Sequence, residues 1–414
     1  MSQLDQTYAA ALADQHAVSG PHLTVVADND GLKVPERIAD FFARAAVGTP
    51  ALVIDLDLVE QAYHGVSGAL PGTEIFYAVK ANPAPEILRR LHALGACFDV
   101  ASRGEIELCL AHGIEAERLS FGSPLKKLSD IAFAHEVGVT MFAADSEDEV
   151  RKIAQAAPGA EIQVRISVPS EGASWPLSRK FGCPADRALE LLVLARDLGA
   201  TPTGISFHVG SQQTDMAAWD RALTTAAPIF DAARAKGITL TILNMGGGVP
   251  ARTRDLNPQI DAYGATVMSR LDHHFGEGSG RTMPRLMIEP GRSIVANAGV
   301  IEAEVVTVAQ ARDRACGRRW IYLDIGRYSG LAETMDEAIQ YCLITGRDGG
   351  DTEPTVLAGP TCDSSDTMYE ENTYALPRDL TAGDKVWILA AGAYTTTYSS
   401  VCFNGFKPLE TYCI

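Results

Sequence analysis

Lys80, Asp99, Arg165, His208, Gly246 to Gly248, Glu289 and Arg292 each stand at or just past the end of a short apolar run. A lysine amine in a low-dielectric pocket has a depressed pKa and condenses with an aldehyde to a Schiff base. The three glycines of "NMGGG" bare their backbone N–H groups, which makes a cradle for phosphate. Arg292 adds a charge-assisted contact to the same phosphate. Glu289 offers a carboxylate to a protonated ring nitrogen, and His208 a flat face to stack on a ring. Singly, each has a plainer reading: a solvated lysine, a core histidine, a tight turn. The set has meaning only if one architecture brings it together.

Strand–helix alternation supplies that architecture. The apolar runs are "EIFYAVKA" (74–81), "CFDVA" (97–101), "RLSFGS" (118–123), "TMFAAD" (140–145), "EIQVRISV" (161–168), "GISFHVG" (204–210), "LTILNMGGG" (240–248) and "RLMIEPGR" (285–292). Amphipathic segments such as "APEILRRLHALG" and "RALELLVLARDLG" separate them, and several close on Gly, a helix stop. Eight units within about 220 residues predict a closed (β/α)8 barrel with right-handed crossovers; an open doubly wound sheet is the alternative. Polar residues at the C-terminal strand ends of such a barrel share one mouth. There the amine, phosphate cradle, carboxylate and aromatic face describe a pocket for pyridoxal phosphate.

After residue 292 strands separated by turn-rich stretches follow: "EVVTVAQA", "RWIYLDIG", "YCLITG", "PTVLAGPTC" and "DKVWILAAGA", with an acidic helical piece at 331–339. The division predicted is a tail or arm over 1–35, a strand region over 36–56 joining the β-domain through "PALVIDL", the barrel over 57–292, and an antiparallel C-terminal β-domain over 293–414.

The composition narrows the partners. Lys plus Arg number 35 and Asp plus Glu 52, a net charge of −17. That balance disfavours nucleic acid and anionic membranes. No stretch has the length and apolarity of a membrane span, and the N-terminus lacks a secretory pattern. The eight cysteines form no C-x-x-C pair, so no metal site is read and the thiols fit a cytoplasmic protein.

The motifs "FYAVKAN", "FDVAS", "FHVGSQ", "NMGGG", "EPGR" and "GPTCDSSD" occur in an order that resembles the fold-type III pyridoxal phosphate-dependent decarboxylases, specifically the ornithine decarboxylase group. The resemblance runs from about residue 36 to the C-terminus, and "LDIGRYSGLAETMDEAI" looks like its bacterial branch. It implies the alanine racemase-like barrel with a β-domain. It makes Lys80 the Schiff-base lysine, with Asp99 and Glu105 tuning it, and Arg165 the contact to the cofactor ring oxygen. His208 would stack on the ring, and Glu289 would keep the pyridinium protonated. Ser211, Gly246, Gly247, Gly248, Arg292 and Tyr394 would hold phosphate. Cys362 and Asp363 would reach into a neighbouring subunit's site, where Cys362 returns a proton to the α-carbon and Asp363 binds the distal ammonium. Phe403 would line the substrate pocket, and the enzyme would be a homodimer.

The activity so implied is decarboxylation of a basic L-amino acid: ornithine to putrescine in polyamine biosynthesis, or lysine to cadaverine, or both. One acidic residue of "GLAETMDEAI" would meet the distal amine, with Glu333, Asp336 and Glu337 available. Diaminopimelate would want an arginine at its far end, and relatives acting on it usually carry Glu in place of Asp363. Biosynthetic arginine decarboxylases of this fold are expected to be longer chains. Racemisation would need a tyrosine base that the motifs do not point to. A cofactor-free regulator-binding protein is the non-enzyme alternative, although the cofactor set is complete.

Overall fold

The computed structural model describes residues 33–45, 47–175, 179–255 and 258–414, and in it the eight apolar runs form one closed parallel barrel. Its staves are Thr73–Ala78, Cys97–Val100, Leu119–Phe121, Met141–Ala144, Glu161–Arg165, Thr201–Ser206, Ile242–Asn244 and Arg285–Ile288. The ring closes where Leu286 pairs with Thr73. Helices cover its outside, so the staves are buried on both faces and their sequences run apolar without alternation. Phe76, Tyr77, Ala78 and the following Val79 are all buried.

Seven helices make the crossovers, and local sequence sets their starts. Ser102 and Ser146 accept hydrogen bonds from the N–H groups of Glu105 and Glu149, three residues into their helices. Pro85 opens the first turn of Pro85–Ala93, where its missing N–H costs nothing. The helix Arg103–Ala111 buries Ile106 and Cys109 against the barrel. An apolar side chain the size of Ile106 gains about 1.5–3 kcal/mol by such burial.

Polarity rises along the barrel axis. Phe76, Met141, Ile242 and Met287 form an apolar floor contributed from opposite staves. Above it the Gln163 amide lies 3.6 Å from Met287 Sδ. Gln163 Oε1 then accepts from Asn244 Nδ2 at 3.0 Å, and Asn244 Nδ2 also reaches Glu289 Oε1 at 2.6 Å. A chain of amides thus connects the floor to the carboxylate at the mouth.

The second layer is a nine-stranded sheet ordered Cys342–Thr345, Lys385–Leu389, Gly299–Ala309, Arg319–Leu323, Thr352–Ala358, Thr367–Met368 along its main path. Ala51–Ile54 joins it beside Gly299–Ala309. The sheet is mainly antiparallel, with two parallel pairs. Arg319–Leu323 runs parallel to Thr352–Ala358, and Ala51–Ile54 parallel to Glu410–Cys413.

Two local expectations are corrected. Residues 36–44, within the expected strand region, form a helix whose Ile38, Phe41 and Phe42 pack on Val53 and Val300. The acidic piece at 331–339 is two 3-10 turns within Ala332–Glu337, broken at Met335 and at Asp336, whose φ is +52°. The tail read over 1–35 lies, as far as residue 32, outside the described residues. No helix among the described residues is long and apolar enough to cross a membrane.

Candidate active site at the barrel mouth

A cavity of about 370 Å3 opens at the C-terminal ends of the staves. Lys80, Asp99, Glu105, Arg165, His208, Ser211, Gly247, Gly248, Glu289, Arg292, Glu333 and Tyr394 line it. Residues spread over more than 300 positions of sequence therefore meet at one mouth.

Lys80 is carried by a single 3-10 turn, Val79–Ala81, just past its strand. Its Nζ lies 3.2 Å from Asp99 Oδ2. The carboxylate outweighs desolvation and pushes the amine pKa up. The depressed pKa expected from a low-dielectric pocket is therefore corrected: the opposite charge wins. Asp99 Oδ1 is buried without a hydrogen-bond partner. Gly122 explains the room it has, because a Cβ there would stand 2.0 Å from that oxygen. Glu105 Oε2 accepts from the Ala101 N–H at 2.7 Å, and burial raises its carboxyl pKa.

Glu289 stands half-buried in the cavity lining. Desolvation first, then the Asp99 charge, push its carboxyl up to about 7, against the opposing pull of Lys80. His208 Nδ1 accepts from the Gly210 N–H at 2.9 Å, which leaves the ring proton on Nε2. Burial, with Arg165 and Lys80 near, holds this imidazole neutral. The Arg165 guanidinium sits 5.4 Å over the Phe181 ring.

The glycine run forms the opposite wall. Gly248 has a φ of +122°, and a Cβ there would come 2.7 Å from Gly210 O. Gly246 N–H donates to Asn244 Oδ1 at 2.9 Å, tying the wall to the amide chain below Glu289. Arg292 Nε lies 3.4 Å from Ser211 Oγ, and its guanidinium stacks 4.8 Å from the Tyr394 ring. These residues fit pyridoxal phosphate: an amine for the aldehyde, a carboxylate for the ring nitrogen, and a side-chain-free wall with an arginine for the phosphate. The unpartnered Asp99 Oδ1 leaves an acceptor beside the amine.

The other expected residues differ in setting. Glu333 lines the cavity but is buried and paired to Arg292, Oε1 to Nη2 at 2.5 Å. Asp336 is exposed, and Glu337 is occupied by the N–H groups of Glu371 and Asn372. Cys362, Asp363 and Phe403 are exposed and stand outside their own chain's cavity. Cys362 N–H donates to Asn404 Oδ1 at 3.0 Å, which gathers the three on one surface.

Sequence reasoning missed Gly122, Gln163, Asn244 and Phe181. Asn244 stood in the quoted "NMGGG" and Gly122 in "RLSFGS", so position was legible although role was not. Also missed was Lys126, whose buried Nζ reaches Ser123 O at 2.7 Å, Ala143 O at 2.6 Å and Glu149 Oε1 at 2.9 Å. It pins the loop that brings Gly122, Ser123 and Pro124 to the cavity wall.

Residues 56–296 match the family described as pyridoxal-dependent decarboxylase, pyridoxal binding domain. The lysine/ornithine decarboxylase of Selenomonas ruminantium is 36% identical over 362 residues, 87% of this chain and 88% of that protein. The crystal structure of lysine/ornithine decarboxylase from Vibrio vulnificus, complexed with cadaverine, has a TM-score of 0.81 at 33% identity, covering 92% of this chain and 100% of that one. The arginine decarboxylase of Paramecium bursaria Chlorella virus, bound to agmatine, has a TM-score of 0.82 at 27% identity, covering 91% and 99%. That last chain is of similar length to this one, so length does not separate arginine decarboxylases from this chain.

Proposed function

The chain belongs to the pyridoxal-dependent decarboxylases, and we propose that it removes the α-carboxylate of L-ornithine first and L-lysine second, giving putrescine or cadaverine and carbon dioxide. The observation that carries this reading is the meeting of Lys80, Asp99, His208, Glu289 and the glycine wall in one cavity. Bound there, pyridoxal phosphate supplies the electron sink for the pair left on the α-carbon when carbon dioxide departs.

The residues of the chain bind, orient and move protons. Lys80 presents the amine that holds the cofactor aldehyde. Asp99, 3.2 Å away, sets a carboxylate beside that amine. Glu289 holds a proton at the ring nitrogen, and Asn244 fixes its orientation with a 2.6 Å hydrogen bond. His208, kept neutral, covers the ring without adding charge. Arg165 would contact the ring oxygen. Ser211, Gly246, Gly247, Gly248, Arg292 and Tyr394 hold the phosphate.

The substrate end is completed by a second copy of the chain. Asp363 would bind the distal ammonium, Cys362 would return a proton to the α-carbon, and Phe403 would line the pocket. What supports this is their joint exposure outside the cavity of their own chain. Ser365 donates to Asp363 through its hydroxyl and its N–H, which holds that carboxyl below the usual range and keeps it anionic. The enzyme is thus read as a cytoplasmic, polyamine-forming homodimer.

The test is carbon dioxide release by purified protein supplied with pyridoxal phosphate. L-ornithine, L-lysine, L-arginine and meso-diaminopimelate are compared over concentration series. The highest kcat/KM is expected for ornithine, then lysine. A preference for arginine or diaminopimelate overturns the substrate assignment. Silence on all four with cofactor bound overturns the reaction.

A further inference from the structure

Glu333 belongs to the sheet domain and Arg292 to the barrel, yet the two meet inside one cavity with side chains only 7% and 6% exposed. The contact is short, Oε1 to Nη2 at 2.5 Å. The Arg292 guanidinium has one other hydrogen-bond partner among the described residues, Ser211 Oγ at a weak 3.4 Å. The guanidinium carbon lies 4.8 Å from the centre of the Tyr394 ring, which offers a cation–π face but no acceptor in line with its N–H groups. The Glu333 carboxylate is therefore the strong directional partner of the guanidinium. The second carboxylate oxygen, Oε2, is buried without a partner.

We propose that Glu333 is a positioning residue for the cofactor phosphate rather than a ligand of the substrate's distal amine. It acts through Arg292, holding the guanidinium against Ser211 and the glycine wall. The proposal rests on the pyridoxal phosphate reading above and deepens it. It also makes the phosphate end depend on the docking of the two domains, because the barrel supplies the arginine and the sheet domain supplies its orienting carboxylate. An ornithine or lysine ammonium at Glu333 would have to share a carboxylate already paired with Arg292, either competing for Oε1 or reaching the buried Oε2.

The experiment compares equilibrium binding of pyridoxal phosphate and of pyridoxal, which lacks the phosphate, to the cofactor-free full chain. Wild type, Glu333→Ala and Glu333→Gln are titrated by fluorescence and absorbance. Glu333→Ala is expected to weaken pyridoxal phosphate about tenfold, the scale of one charge-assisted hydrogen bond. Its affinity for pyridoxal is expected to stay at the wild-type value. Glu333→Gln keeps an oxygen acceptor for Nη2, so its expected loss is about threefold, again confined to the phosphorylated ligand. If Glu333→Ala does not fold, Glu333→Gln alone decides. Unchanged or tighter pyridoxal phosphate binding overturns the proposal. So does equal loss for both ligands, which would mark a merely structural role. An ornithine KM raised tenfold with cofactor affinity unmoved returns Glu333 to the substrate. Wild-type protein that binds neither ligand overturns the cofactor reading itself, which the variant results do not touch.

Discussion

Asp99 controls the charge of Lys80: the two side chains stand 3.2 Å apart, and the carboxylate moves the amine pKa upward against the downward pull of burial. A protonated amine cannot attack an aldehyde. In the cofactor-free protein the attachment rate should therefore rise with pH as the amine loses its proton. Asp99→Asn removes the carboxylate, lowers the amine pKa and shifts this profile to lower pH. Stopped-flow absorbance of cofactor uptake across pH gives the comparison. Superimposable profiles would show that Asp99 does not govern the amine.

Glu289 makes the cofactor-free fold sensitive to pH. Its carboxyl is raised from the ordinary 4.5 to about 7, so between those values the folded protein binds more protons than the unfolded chain. Stability from this group is full below pH 4.5 and is lost as pH rises toward 7. Thermal unfolding of the cofactor-free protein should show that slope, and Glu289→Gln should flatten it. In the loaded enzyme the same variant should lower kcat on the order of 100-fold, the scale of a lost electrostatic partner at a reacting centre. An unaltered slope together with wild-type kcat would remove both roles.

Gly122 predicts a steric test of the same pair. A methyl group at Gly122→Ala would stand 2.0 Å from Asp99 Oδ1, so the carboxylate must shift and its contact with Lys80 must change. Overpacking of this kind costs about 1–3 kcal/mol. Activity should fall in Gly122→Ala, and little further when Asp99→Asn is added, because both act on one contact. Additive losses in the double-mutant cycle would separate the two residues.

The eight staves were legible because parallel strands buried on both faces read as unbroken apolar runs, as in "EIFYAV". The mouth was legible because Lys80, Asp99, Arg165, His208, the glycine run and Glu289 stand at or just beyond stave ends. Strand direction in the sheet domain was not, since nothing in "RWIYLDIG" or "PTVLAGP" states that they run parallel. The helix over 36–44 did leave a signal: Ile38, Phe41 and Phe42 have the i, i+3, i+4 spacing of a helix face. The pairing of Glu333 was not legible because its partner is 41 residues away and on another domain. Among three nearby carboxylates, only tertiary packing chooses which one meets Arg292.

Lys126 should matter to stability as well as to the pocket wall. Its Nζ is buried against two carbonyls and Glu149, and burial lowers its pKa to about 8. Lys126→Met leaves both carbonyls and part of the Glu149 charge unsatisfied, a loss of about 3–5 kcal/mol. Lys152, at 2.5 Å from Glu149, limits the damage to the lower end. Denaturant unfolding of the variant checks this, and a change under about 1 kcal/mol would contradict it.

A shared site predicts complementation. Lys80→Ala and Asp363→Ala homodimers should each be nearly inactive. A randomly mixed population contains heterodimers with one intact site, so activity should return to roughly a quarter of wild type. No recovery in confirmed heterodimers would confine each site to one chain.

The most direct measurement is borohydride reduction of the protein loaded with pyridoxal phosphate, followed by peptide mapping. The cofactor should be fixed to Lys80 alone, and Lys80→Ala should carry none. A label on another lysine, or no label on protein that binds the cofactor, would contradict the assignment of the barrel mouth as the site of chemistry.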